Sequence, residues 1–152
     1  LTNRPDKLDS DIKRPGRLDR KIPFFYCDSA AERAQVLQAV LARYGETCTA
    51  STEELLVLCD TLAGYSNADL EALALLAVEL ARNQASPLDA AVLSAAALDF
   101  MPPQECDMIE FMELLAVSET SRRSMLPKRY RDMAVADIQN NLLAAKRRAL
   151  AR

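Results

Sequence analysis

At 152 residues, half of them apolar and 27% charged, the chain has the length of one ordinary domain and can bury about 70% of the surface its unfolded form exposes. That excludes disorder, and no apolar run approaches the roughly 18 to 20 residues that cross a bilayer. Nineteen Lys and Arg against 22 Asp and Glu leave a net charge of -3, without the basic field that makes nucleic acid a favoured partner.

Only 3 glycines and 5% aromatics, with Ala and Leu abundant, predict packed helices rather than a sandwich or barrel, which need turn glycines and β-formers. The four cysteines, at 27, 48, 59 and 106, form no C-x-x-C pair, and the chain has no histidine. Structural zinc and His-dependent triads are thereby excluded. With no signal peptide to read, reduced thiols in a cytoplasmic setting are expected.

In chain order, the first 27 residues carry Pro5, Pro15, Pro23 and Gly16 among many charges, then the apolar run 22–26. They predict a loop, a short helix, a second loop and one strand. Ser29 with Glu32 forms a capping box ahead of Leu37, Val40, Leu41 and Tyr44, with Gly45 as the stop. A second box, Ser51 with Glu54, opens the apolar stretch 55–62, and Gly64 follows it. Ser66 caps a third helix whose stripe is Leu70, Leu73, Ala74, Ala77 and Ala81. Ser86, Pro87 and Asp89 start a fourth, which Pro102 and Pro103 end. Met108, Phe111, Met112 and Leu115 mark a fifth helix, and Ala134, Ile138, Leu142, Ala145 and Ala149 a long last one. Between them, Arg122, Arg123, Lys128, Arg129 and Arg131 read as a solvated linker. The expected boundaries are 1–27, 28–103 (a four-helix bundle) and 104–152 (a helical extension).

Chemistry concentrates near the N-terminus. Arg14 and Arg17 flank a Pro-Gly turn, which sets two guanidinium forks on one corner suited to an anion such as phosphate. A solvated basic loop paired with Asp9, Asp11 and Asp19 is the competing reading. The run Thr2-Asn3-Arg4-Pro5-Asp6-Lys7-Leu8-Asp9, followed by Arg14-Pro15-Gly16-Arg17-Leu18-Asp19-Arg20, closely resembles the second region of homology of AAA ATPases, notably the valosin-containing-protein, proteasomal-ATPase and FtsH-like clade. Residues 22–26 resemble the family's last core strand, and Gly64-Tyr65-Ser66-Asn67-Ala68-Asp69-Leu70 resembles its G-x-S-G-A-D-L segment. The resemblance covers about residues 1–103.

The resemblance implies a mainly α chain: a remnant of the α/β AAA core, a helical lid and a C-terminal extension. It makes Asn3 the sensor-1 asparagine and Arg14 and Arg17 arginine fingers acting on a neighbouring subunit's nucleotide. Gly64, Ser66, Asn67 and Ala68 become the segment beside adenine and ribose. Asn67 stands where the family has glycine, so close backbone approach at 67 is in question. Asp19 is expected to orient the loop, and Asp6 and Asp9 to cap the short helix. ATP and Mg2+ are the implied cofactors of the parent protein, with tight binding to this chain alone not expected. Neighbouring subunits of a ring, a homohexamer in the parent, and a protein substrate are the implied partners; no metal ligand and no membrane span is expected.

No G-x-x-x-x-G-K-[ST] loop and no apolar strand ending in paired acids is present, so this chain alone is not expected to hydrolyse ATP. The expectation is that Leu1 falls partway through an AAA module, the alternative being a natural stand-alone protein. The leading functional reading is the C-terminal portion of an ATPase ring subunit that remodels proteins. The alternatives are a catalytically inert helical adaptor derived from an AAA lid and a nucleic-acid remodeller engaging residues 122–131. The fifth helix is expected to pack within the chain, the other course being onto a neighbouring subunit.

Overall fold

The computed structural model describes residues 2, 4–13, 16–102 and 106–151. Among them are seven α-helices and two 3-10 turns and no strand. The chain divides into two compact units, Tyr26–Pro103 and a second made of Leu1–Phe25 with Gln104–Arg152.

In the first unit, α1 (Ala30–Arg43) and α2 (Thr52–Thr61) open on the capping boxes read from sequence. The Ser29 and Ser51 hydroxyls accept from the Glu32 and Glu54 amides, and each glutamate accepts from its serine's amide in return. α3 (Asn67–Gln84) starts the same way with Ser66 and Asp69, and α4 (Ala90–Asp99) is capped by Asp89. α1 packs on α2 and α3, and α4 packs on α2 and α3. Leu37 and Leu41 of α1, Leu55 and Cys59 of α2, Leu70 and Leu73 of α3 and Leu93 of α4 meet in one core. Glycine is required at 45 and 64, where φ is +73° and +87° after a helix end. At Ala85 an ordinary residue takes the left-handed position, φ +49°, closing α3.

Arg33 is 4% exposed. Its Nε donates to the Cys59 carbonyl at 2.7 Å and its Nη1 to the Cys27 carbonyl at 3.4 Å. A cation thus meets the carbonyl-rich end of α2, the negative end of the helix dipole, and ties the entry of α1 to it.

In the second unit, α5 (Cys106–Glu119) packs along α7 (Val135–Leu150). Phe111, Leu114 and Leu115 of α5 bury against Ala145 of α7, flanked by Leu142 and Ala149. A further cluster joins Val117, Leu126 and Ile138, with Phe25 and Met133 on its edge. The five basic residues of the stretch between the helices are exposed, as expected of a solvated linker, but its backbone is ordered into turns. It forms a 3-10 turn (Arg123–Met125) and a short α6 (Lys128–Arg131). Arg123 Nη1 donates to the Arg131 and Met133 carbonyls at 3.0 and 3.1 Å, and Arg131 Nη2 to the Leu126 carbonyl at 3.0 Å. Arg129 pairs with Glu113. The guanidinium groups satisfy carbonyls that a loop leaves open, a use that charge counting does not reveal.

The expected strand over 22–26 does not form. A strand needs a neighbouring strand to complete its ladder, and the described residues contain no strand. Phe25 instead packs on Tyr130, ring centroids 6.5 Å apart, while Phe24, on the opposite side of the extended chain, is 79% exposed. The expected short helix shrinks to a 3-10 turn, Pro5–Lys7, which contacts α5.

Candidate functional site

Two groups of residues carry the sequence-derived site, one in each unit. In the unit of Leu1–Phe25 and Gln104–Arg152, Asn3 and Arg14 lie outside the described residues. Arg17 is exposed, and its Nη1 donates to the Asp11 carbonyl at 3.2 Å. The turn that presents it is closed by the Gly16 amide donating to Asp19 Oδ1 at 2.5 Å. Gly16 has φ +88°, a conformation that favours glycine. Upstream, the Asp9 carboxylate accepts from the Asp11 amide at 2.9 Å, capping a turn. Asp6 lies inside the 3-10 turn and caps nothing. It instead forms a two-pronged pair with Arg4, 2.9 and 2.8 Å, because that planar fork outcompetes a single amide. The Arg4 hydrogen bonds hold the Asp6 carboxyl below its usual value.

Four contacts from the end of α5 and the residues just after it bracket this loop, and sequence reading missed them. Glu119 Oε1 accepts from Lys13 Nζ at 2.5 Å, and its Oε2 from Lys21 Nζ at 2.8 Å. Ser121 Oγ accepts from the Lys21 amide at 2.9 Å and donates to the Asp19 carbonyl at 3.2 Å. Burial pushes the Glu119 carboxyl up, but the hydrogen bonds and charges of Lys13 and Lys21 outweigh it and hold it below the usual value. Some 100 residues separate these partners in the chain, so no local pattern announces them.

In the unit Tyr26–Pro103, Gly64, Ser66, Asn67 and Ala68 line up at the turn into α3. At Gly64 an added Cβ meets nothing within 4 Å; the glycine serves backbone conformation, not close approach. Ser66 Oγ donates to Asp69 Oδ2 at 2.7 Å while accepting from the Asp69 amide at 3.1 Å, so this hydroxyl is committed to the cap. Asn67 and Ala68 are exposed. Asn67 Oδ1 accepts from Cys27 Sγ at 3.4 Å, which turns the carbonyl half of its amide toward the head of the bundle. Burial raises the thiol pKa of Cys27 and Cys59, making both weak nucleophiles.

Each unit presents one exposed polar group from the sequence-derived site. Arg17 offers a charged, rigid donor fork, and Asn67 a side-chain amide. Among the described residues no three His, Cys, Asp or Glu side chains cluster to hold a metal ion, and no helix is long and apolar enough to cross a membrane.

Comparison with known proteins supplies the context. The chain is 40% identical over 72 residues to ATPase family gene 2 protein homolog A of Homo sapiens, covering 47% of this chain and 8% of that protein. It is 40% identical over 74 residues to Peroxisomal ATPase pex1 of Schizosaccharomyces pombe, 47% of this chain and 7% of that one. The 26S proteasome regulatory subunit 6B homolog of Saccharomyces cerevisiae is 36% identical over 63 residues, 41% of this chain and 15% of its own. The match therefore spans less than a sixth of each of these relatives. No family model and no solved structure matches the chain. These relatives are AAA ATPases, and the chain is similar to them over 41–47% of its length, in keeping with the resemblance carried by the motifs.

Proposed function

We propose that this chain, homologous over 47% of its length to AAA ATPases, is the C-terminal portion of such an ATPase subunit. It supplies Asn3 as sensor 1, Arg14 and Arg17 as arginine fingers acting on the next subunit of a ring, and residues 28–103 as the nucleotide-responsive lid. The observation that carries this reading is the order and spacing of two long motifs, residues 2–20 and 64–70. The ATPase relatives support it, as does the exposure of Arg17 on a turn closed by Asp19. ATP and Mg2+ are bound by the complete subunit, and the ring remodels protein substrates.

The arginines' part in the reaction is electrostatic. Each guanidinium carries a permanent charge and a rigid donor fork, which offset the negative charge developing on the transferred phosphoryl oxygens. In related NTPases this is worth about 10³ to 10⁵ in rate. Asp19 keeps the Gly16–Arg17 turn closed so that the fork is held ready in the ground state. At the head of α3, Asn67 presents its amide to the nucleotide, and the bundle moves as a rigid body when the nucleotide changes.

Arg14→Ala and Arg17→Ala in the full-length subunit test the assignment. Turnover is expected to fall about a hundredfold or more with ATP binding retained. Unchanged turnover would overturn it and put the catalytically inert adaptor in first place.

A further inference from the structure

Glu119 is the last residue of α5, where a carboxylate meets the negative end of the helix dipole and nothing local favours it. Its two oxygens are divided between Lys13 and Lys21, the cations on either side of the segment that carries Gly16 and Arg17. Ser121, two residues on, takes the Lys21 amide and returns its proton to the Asp19 carbonyl. The 3-10 turn Pro5–Lys7 lies on α5, and Phe25 packs with Val117, Leu126 and Ile138. The segment before the loop, both its flanks and the segment after it therefore all rest on the C-terminal helices.

The geometry points to a function for residues 106–151: they are a platform that fixes the arginine-bearing loop, with Glu119 as the positioning residue that clamps it from both sides. The clamp stands on contacts within one compact unit; its catalytic consequence rests on the arginine-finger reading above. A finger that must meet a phosphoryl group on another subunit gains from being held, because a loop ordered beforehand has less conformational freedom to lose at the reaction. Glu119 does this without touching nucleotide: with one oxygen on each lysine, it fixes the two ends of the loop against the same helix end. Lys13 and Lys21 are half-buried and Glu119 is 21% exposed on its side chain, which shields the pairs more than fully exposed ones are shielded.

Amide hydrogen exchange over residues 9–13 and 16–24 tests the clamp, with α1 to α4 and α7 as the internal measure of an intact fold. In Glu119→Gln the loop is expected to exchange about fivefold faster than in the wild type, and in Glu119→Lys, which repels both lysines, faster again. The triple reversal Lys13→Glu, Lys21→Glu, Glu119→Lys is expected to restore protection. If Glu119→Lys loosens α7 as well, Glu119→Gln decides. Loop exchange unchanged in Glu119→Gln, or protection not regained in the triple reversal, would overturn the proposal. In the full-length subunit the Glu119→Gln change is expected to lower kcat several-fold with KM for ATP unchanged. Faster loop exchange without that loss leaves the clamp standing and overturns the arginine-finger reading instead.

Discussion

Two charged side chains organise this molecule from opposite environments. Arg33 is buried and satisfies carbonyls at the end of α2 and at Cys27. Replacing it with Met leaves both acceptors without that donor, at about 1–3 kcal/mol for a lost buried partner. Arg33→Met is thus expected to lower the urea-unfolding free energy of this unit by about 2 kcal/mol, and an unchanged midpoint would contradict the role. Its position was legible in part: Arg33 precedes Leu37 by one turn on the stripe that continues through Val40 and Leu41, and a cation in a core stripe announces a buried partner. Glu119 gave no such signal, because its partners lie about 100 residues away. Its carboxyl is held below the usual value, so the restraint is complete above the ordinary glutamate range, about 4.3, and is lost as pH falls through the lowered value. A carboxyl NMR titration is expected to place the Glu119 midpoint under that range; one at or above it would mean the lysines do not hold the charge.

At the scale of elements, the helices that local chemistry dictates were the readable ones. Three serine-acid boxes and Asp89 set the starts of α1 to α4, since a cap and its partner lie within one turn. The strand over 22–26 failed because strand pairing is non-local, and an apolar run by itself does not specify it. The structured stretch 123–131 was missed because arginine-to-carbonyl bonds leave no periodicity. Helix ends separate in the same way. Gly64 was visible as a stop, whereas α3 ends on Ala85 in a left-handed conformation that no glycine marks. Gly64→Ala is expected to cost about 1 kcal/mol from backbone strain alone, the site being sterically open, and Ala85→Gly to stabilise by a similar amount. Thermal unfolding of the pair checks both signs; a destabilised Ala85→Gly would show that the left-handed turn carries no strain.

At the scale of the whole molecule, the chain folds as two compact units in which the first 25 residues and the last 49 belong together. Only the four-helix unit has a core drawn wholly from consecutive elements, so residues 26–102 are expected to fold alone, with cooperative unfolding and helical circular dichroism. A fragment without a cooperative transition would contradict the division. Sequence could not pair the two ends of the chain, because that association rests on Lys13, Lys21 and Phe25 meeting residues of the distant helices.

The central claim, that the loop carrying Arg17 serves a neighbouring subunit's nucleotide, is tested most directly by mixing. Full-length Arg17→Ala subunits, whose own sites keep Asn3, are mixed with full-length Asn3→Ala subunits, whose fingers are intact, and ATP turnover is followed at constant total subunit. The expected result is that each variant is slow by itself and the mixture regains turnover, because an Asn3→Ala copy lends its finger to the site of an Arg17→Ala neighbour. No turnover regained in rings that hold both variants would contradict the account.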